Sequence, residues 1–152
     1  MSTAFDIELA TATEAPEVLR LIAQLYEGEA IPFRAEAMGA ALLRLVSEPA
    51  LGFVLVARAR PTRAIVGYGV ATLGFDVEFA GHDAFITDLY VEPPSRGRGI
   101  GQAMLDALTQ GLRERGAKAV HLMVRPENER AQALYETRGF EAVPRTVMTK
   151  LL

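Results

Sequence analysis

A chain of 152 residues, half of them apolar, can close one sizeable hydrophobic core but is too short for two ordinary ones, so residues 1–152 are expected to form a single domain. The formal net charge is −3, with Arg and Lys interspersed among Asp and Glu, which leaves no basic stripe to neutralise nucleic-acid phosphates. Cysteine is absent, and with it disulfides, thiolate metal sites and cysteine nucleophiles.

Met1 to Ala10 alternates polar and apolar residues in place of a signal peptide, and no apolar run approaches the ~20 residues of a membrane span. A soluble, cytoplasmic protein without a membrane partner is expected, and the abundance of Ala and Arg fits a high-GC bacterial coding bias. Phe5, Ile7 and Leu9 alternate with Asp6, Glu8 and Ala10, the period of a half-buried strand. From Thr13 as N-cap, with Pro16 in the first turn, Leu19, Ile22, Ala23 and Tyr26 draw one helical stripe that ends near Gly28. A second helix runs from about Arg34 to Ser47, with Met38, Leu42, Leu45 and Val46 on one face, and stops before Pro49.

Leu51 to Arg58 and Ala64 to Leu73 are strands, and the reversal Arg60 to Arg63 makes them an antiparallel hairpin. After the Gly-flanked stretch 74–82, Ala84 to Val91 is a further strand, ended by Pro93 and Pro94. A helix from about Gly101 to Arg115 places Met104, Leu105, Leu108 and Leu112 on one stripe, with Gly116 at its C-terminal cap. Ala119 to Val124 reads as an interior strand. Asn128 caps a short helix that carries Ala131, Leu134 and Tyr135 and ends at Gly139, where Phe140 makes the accompanying apolar contact; Glu141–Val143 and Thr146–Leu151 close the chain as strands. The order β-α-α-β-β-β-α-β-α-β-β predicts an α/β fold with a single mixed, mostly antiparallel sheet flanked by helices.

The chemistry concentrates where the strand ending at Tyr90 and Val91 runs through Arg96, Gly97, Arg98, Gly99, Ile100 and Gly101 into a helix. A helix start has unpaired N–H groups and a positive dipole end, and glycines let the backbone approach an anion closely. A diphosphate fits such a turn, with Arg96 and Arg98 adding charge from its rim. The glycines alone could equally make a flexible turn. Their late position, after an antiparallel hairpin, departs from a dinucleotide-binding fold, and the Gly-Lys-Ser/Thr of a triphosphate loop is missing.

Arg96-x-x-Gly99-x-Gly101 resembles the acyl-CoA pyrophosphate loop of the GNAT N-acetyltransferase superfamily. The preceding Asp88-Leu-Tyr-Val91, the following Ile100-Gly-Gln-Ala-Met-Leu105, and Asn128-x-x-Ala131-x-x-Leu134-Tyr135-Glu136-x-x-Gly139-Phe140 resemble that family's pattern in the same order. The resemblance implies that backbone groups of Leu89, Tyr90 and Val91 pair with a pantetheine arm, and that amides from Gly97 to Gln102 hold the pyrophosphate of acetyl-CoA. It also implies that Asn128 contacts the pantetheine side, besides capping its helix, and that Tyr135 protonates the departing thiolate, besides packing on its helix stripe. In some relatives a glutamate on the strand before the loop accepts the amine proton; Thr87 aligns with it and is no base. Asp88 reaches the site only through a bulge, since strand neighbours point to opposite faces. Glu29, or an ordered water relay, is the alternative.

His82 and His121 lack ligand-like partners, so no metal is expected. Glu27, Glu29 and Glu78 could form an acidic mouth or be scattered surface carboxylates, and Phe75 and Phe79 could line the acceptor or cover core. The acceptor implied is a small-molecule or peptide amine. A CoA-binding regulatory module without turnover, and a nucleotide-binding domain unrelated to CoA, are the competing readings. Self-association as a homodimer, through sheet edges or terminal strands, follows from the resemblance alone.

Overall fold

The computed structural model describes residues 4–152. Its central sheet has the order β1-β2-β3-β4-β5, formed by β1 (Phe5–Leu9), β2 (Gly52–Ala59), β3 (Ile65–Leu73), β4 (Ala84–Val91) and β5 (Val120–Leu122). The first three pairings are antiparallel, whereas β4 and β5 run parallel. Four helices cover it: α1 (Ala15–Gly28), α2 (Ala35–Ser47), α3 (Ile100–Glu114) and α4 (Glu129–Thr137). Among the described residues no helix is long and apolar enough to cross a membrane.

Alternation along the strands builds two apolar layers. Val54 and Val56 of β2, with Tyr68 and Val70 of β3, face Val18, Leu21 and Ile22 of α1 and Leu42 of α2. Phe53 and Ala57, with Ala71 and Ile86, face Met104, Leu105, Leu108 and Leu112 of α3. That last stripe has the spacing of one helix face, so burying it sets the rotation of α3 against the sheet. Gly69 allows the approach, since a Cβ there would lie 2.6 Å from Leu108 Cδ1 and 3.2 Å from Met104 Sδ. Gly52 is required for another reason. It opens β2 at φ +148°, where a Cβ would sit 2.0 Å from the Ala71 carbonyl oxygen. Gly52→Ala is therefore expected to destabilise the fold by about 3 kcal/mol or more, the upper end of a forced backbone conformation plus a clash that displaces β3, as chemical denaturation would measure.

Two sequence expectations need correction. Thr13 is not the cap of α1: the residue before the helix is Glu14, its carbonyl accepting from Val18 N–H at 3.0 Å and its side chain turned back onto the Thr11 hydroxyl at 3.2 Å. A tight turn through Thr11 to Ala15 consumes the position Thr13 would have needed. Residues 141–152 form no strand, and within that stretch the backbone bonding reduces to Arg145 N–H donating to Val143 O at 2.8 Å. Strand propensity needs an edge to pair with, and the segment makes no backbone hydrogen bond to any strand among the described residues.

Candidate active site

The parallel pair is short. β4 and β5 match at Ala84 with Val120, Phe85 with His121 and Ile86 with Leu122, and beyond Ile86 they part. The gap becomes a cleft of about 650 Å³, walled by Thr87, Asp88 and Leu89 on one side and Met123, Val124 and Arg125 on the other. Tyr26 and Glu29 from the end of α1 close one end, and Asn128 and Tyr135 border the α4 side.

The backbone of β4 is itself a binding edge along this gap. Glu92 N–H donates to Val66 O at 2.9 Å, and in an antiparallel pair alternate residues bond to the neighbour. With Tyr90 opposite Tyr68, and Leu89 and Val91 opposite Gly69 and Gly67, Tyr90 bonds toward β3 while Leu89 and Val91 present their N–H and C=O to the side that β5 has left. The Val91 carbonyl accepts from Arg96 Nε at 2.8 Å, and the Arg96 guanidinium lies 5.5 Å from the centre of the Tyr90 ring. Arg96 thus braces the loop against the strand, while Arg98 is exposed and makes no hydrogen bond or ion pair among the described residues.

Beyond Arg96 the chain turns through Gly97 (φ +81°) and Gly99 (φ +83°), a left-handed conformation that glycine adopts without steric cost. Helix α3 starts at Ile100, and the N–H groups of Gly99, Ile100, Gly101 and Gln102 find no acceptor among the described residues; the first bond of the helix is Ala103 N–H to Gly99 O, 3.1 Å. A Cβ at Gly97, Gly99 or Gly101 would meet nothing within 4 Å. Open space in front of unpaired donors at a positive helix end is a cradle shaped for a phosphate group.

Asp88 reaches the cleft by the device its position requires. Asp88 pairs with Val70 and Ile86 with Ala71, so Thr87 is the extra residue of a β-bulge. Ile86 packs on the α3 face, and without the bulge Asp88, two residues on, would share it. The irregularity turns its carboxylate to the α1 face, where the Tyr68 hydroxyl donates to Oδ2 at 2.7 Å. Burial pushes the Asp88 carboxyl above the usual range, while hydrogen bonding from Tyr68, Thr87 and Tyr26 pulls the other way. The same burial, aided by the Asp88 charge, raises both tyrosines, so they remain protonated donors. Tyr90 extends the polar layer by donating to Gln24 Oε1 at 3.0 Å.

Across the cleft, Tyr135 is half-buried, and its pKa is raised by burial first and by the charge of Glu29 second. Its hydroxyl has no hydrogen-bond partner among the described residues, and its ring packs 6.0 Å from that of Phe140. Asn128 Oδ1 accepts from Ala131 N–H at 3.1 Å, the helix cap its position predicts. Glu29 is joined to Arg125, whose Nε lies 2.6 Å from Glu29 Oε2 and whose Nη2 donates to the Glu29 carbonyl at 2.6 Å, tying α1 to the loop after β5.

Glu27 and Glu78 do not line the cleft, and Glu78 pairs with Arg145 at 3.1 Å. Phe75 packs on His82 and Phe79 on His121, away from the cleft. Sequence reasoning placed Tyr26 on a helix stripe and passed over Tyr68 and Arg125. The available signal was a tyrosine where a buried stripe or strand ordinarily takes Leu or Val.

The family model of the acetyltransferase (GNAT) family matches residues 18–140, and the chain belongs to that family. It is 45% identical over 64 residues to a mycothiol acetyltransferase of Beutenbergia cavernae, a match covering 40% of this chain and 22% of that protein. Another covers 49% of this chain and 52% of an acetyltransferase of Pectobacterium atrosepticum, at 36% identity over 74 residues. The chain thus spans between about a fifth and about half the length of these curated relatives. Among solved structures, an integron cassette protein from the mobile metagenome of Cole Harbour Salt Marsh superposes with a TM-score of 0.84 at 28% identity, over 96% of this chain and 90% of that one. The aminoglycoside N-acetyltransferase AAC(6')-Iy, solved in complex with CoA, shares the fold with a TM-score of 0.83 at 21% identity, over 99% and 97% of the two chains.

Proposed function

We propose that residues 1–152 act as one cytoplasmic bacterial N-acetyltransferase domain that moves the acetyl group of acetyl-CoA directly to a primary amine. One observation carries the reading: where β4 parts from β5 a cleft opens with the bulge-presented Asp88 in its wall, and the same strand runs on past Val91 into the unpaired amides at the start of α3. Family membership and the CoA bound to AAC(6')-Iy support the same donor.

The donor supplies an activated thioester acyl group. The cradle Gly97 to Gln102, with Arg98 at its rim, suits the pyrophosphate, and the outward N–H and C=O of Leu89 with the N–H of Val91, whose carbonyl Arg96 already occupies, suit an extended amide-bearing arm laid as an added strand. Ile100 contributes its N–H and anchors α3 through a buried side chain. Asn128 borders the opposite side. An acceptor amine with a pKa of about 10.4 arrives protonated at neutral pH, and Asp88 takes that proton. Its raised pKa makes it a stronger base than an exposed aspartate. Tyr135, protonated at neutral pH, holds a proton at its hydroxyl for the departing sulfur. Asp88, with Glu29 at the same end, favours a cationic amine over an anionic acceptor.

Thermal unfolding tests the donor: acetyl-CoA and CoA, but neither ATP nor NAD, are expected to raise the midpoint, since a ligand at a hundredfold excess over Kd stabilises by about 2.7 kcal/mol. No shift with either CoA species would sink the proposal. Because a thiolate is a weak base and needs less help than an alkoxide, Tyr135→Phe is expected to slow thiol release by about tenfold to 100-fold while acetyl-CoA still binds. A site that binds acetyl-CoA and releases no thiol with any amine would instead mark a regulatory module.

A further inference from the structure

Beside the cleft, the sheet carries a second feature on the same face as Asp88. Ala84 and Ile86 of β4, with Val120 and Leu122 of β5, pack on the α3 side, so Phe85 and His121 between them point to the opposite face. Helices α1 and α2 close their own core over β2 and β3, and neither Phe85 nor His121 belongs to it. The two are cross-strand partners with ring centres 5.0 Å apart, and Phe79, from the connection between β3 and β4, adds a third ring 5.4 Å from His121. The rings tilt against one another by 43° and 49°, an open trough rather than a stack, and Phe85 is 38% exposed. Its central ring is held from behind: His121 Nε2 lies 3.1 Å from Oδ2 of the buried Asp83.

We propose, resting on the acetyltransferase reading, that this trough seats an aromatic ring of the acceptor, and that the acceptor class is a primary amine joined to such a ring by a short carbon spacer. Trough and base lie in line along β4. Phe85 pairs with Thr72 and Asp88 with Val70, two residues apart on β3, which separates them by about 7 Å. With a ring over Phe85 and an ammonium group at Asp88, about two or three carbons fill the distance between. Trough and cleft also share a border, because Met123, two residues past His121, and Thr87, two past Phe85, are exposed and line the cleft. The ends differ in polarity as such an amine does. Asp88 and Glu29 attract the cationic head, whereas the rings reward a flat apolar tail through buried area and edge-to-face contact. A polyhydroxylated, polycationic sugar offers these rings no aromatic surface.

Thiol release and NMR together test the trough apart from the reading on which it rests. With saturating acetyl-CoA, kcat/KM for 2-phenylethylamine is expected to exceed that for ethylamine by about tenfold or more, with kanamycin lagging alongside ethylamine. Phe85→Leu, which keeps apolar bulk and removes the flat face, is expected to cut that ratio by about threefold and Phe85→Ala by about tenfold, with the unfolding shift on CoA reporting an intact fold. The chain has two histidines, so its imidazole signals are few; in the CoA-bound protein 2-phenylethylamine is expected to shift those of His121 saturably, and ethylamine to leave them in place. A preference for kanamycin, equal kcat/KM for the two simple amines, an unchanged ratio in both variants, or a His121 ring that does not respond overturns the proposal. Saturable His121 shifts without thiol release from any amine would sink the acetyltransferase reading instead and leave the arylamine site standing.

Discussion

Asp88→Asn is expected to lower turnover at saturating acetyl-CoA by about 10²–10⁴-fold, the range of a lost general base, while leaving the affinity for CoA within about twofold. The substitution keeps the shape of the side chain and still offers Tyr68 an acceptor, so the polar layer behind it stays intact. Its effect on stability has the opposite sign. Burial raises the folded-state pKa of Asp88 above its ordinary 3.8, so the wild type is favoured when this group is neutral and loses that contribution as pH rises from the ordinary value through the raised one. Asparagine is neutral throughout, and at pH 7 the variant is expected to be at least as stable as the wild type, by denaturant titration. With Asp88 as the proposed base, activity of the wild type is expected to rise with pH as Asp88 ionises. Tyr68→Phe removes the 2.7 Å bond that favours the charged form, so the acid limb of kcat/KM is expected to move to higher pH. An Asp88→Asn enzyme with an unchanged rate and pH profile would assign the base elsewhere, with Glu29 next in line.

The other large effect belongs to the phosphate cradle. Gly99→Val is expected to weaken CoA binding by about 100-fold or more, equivalent to two charge-assisted hydrogen bonds of about 1.5–3 kcal/mol each. Position 99 adopts φ +83° as the residue preceding α3, a conformation a β-branched residue resists, and the added methyls would occupy the space in front of the Ile100 and Gly101 amides. The folded protein is expected to lose only about 1–2 kcal/mol, because a Cβ there meets no neighbour within 4 Å. Isothermal titration with CoA, set beside the unfolding midpoint, separates the two effects. A variant that unfolds earlier yet binds CoA as tightly as the wild type would move the pyrophosphate away from this loop.

The parts of the protein that local periodicity encodes were legible from residue order alone. The Met104, Leu105, Leu108, Leu112 stripe, the strand stop at Pro93 and Pro94, the Gly-rich turn and the Asn128 cap each depend on neighbours within about one or two helical turns, and the structure places every one of them where the spacing predicts. What tertiary structure alone decided is the direction in which side chains point and the partners they find. Strand alternation sends Asp88 into the α3 core; the bulge at Thr87, visible only once β4 is laid against β3, sends it to Tyr68, twenty residues earlier on the neighbouring strand. Glu29 and Arg125, ninety-six positions apart, meet only because α1 and the loop after β5 border the same gap. The last twelve residues have the composition of strands and form none within their own chain, because a strand is completed by the edge it pairs with, and its own sequence does not say which edge that is.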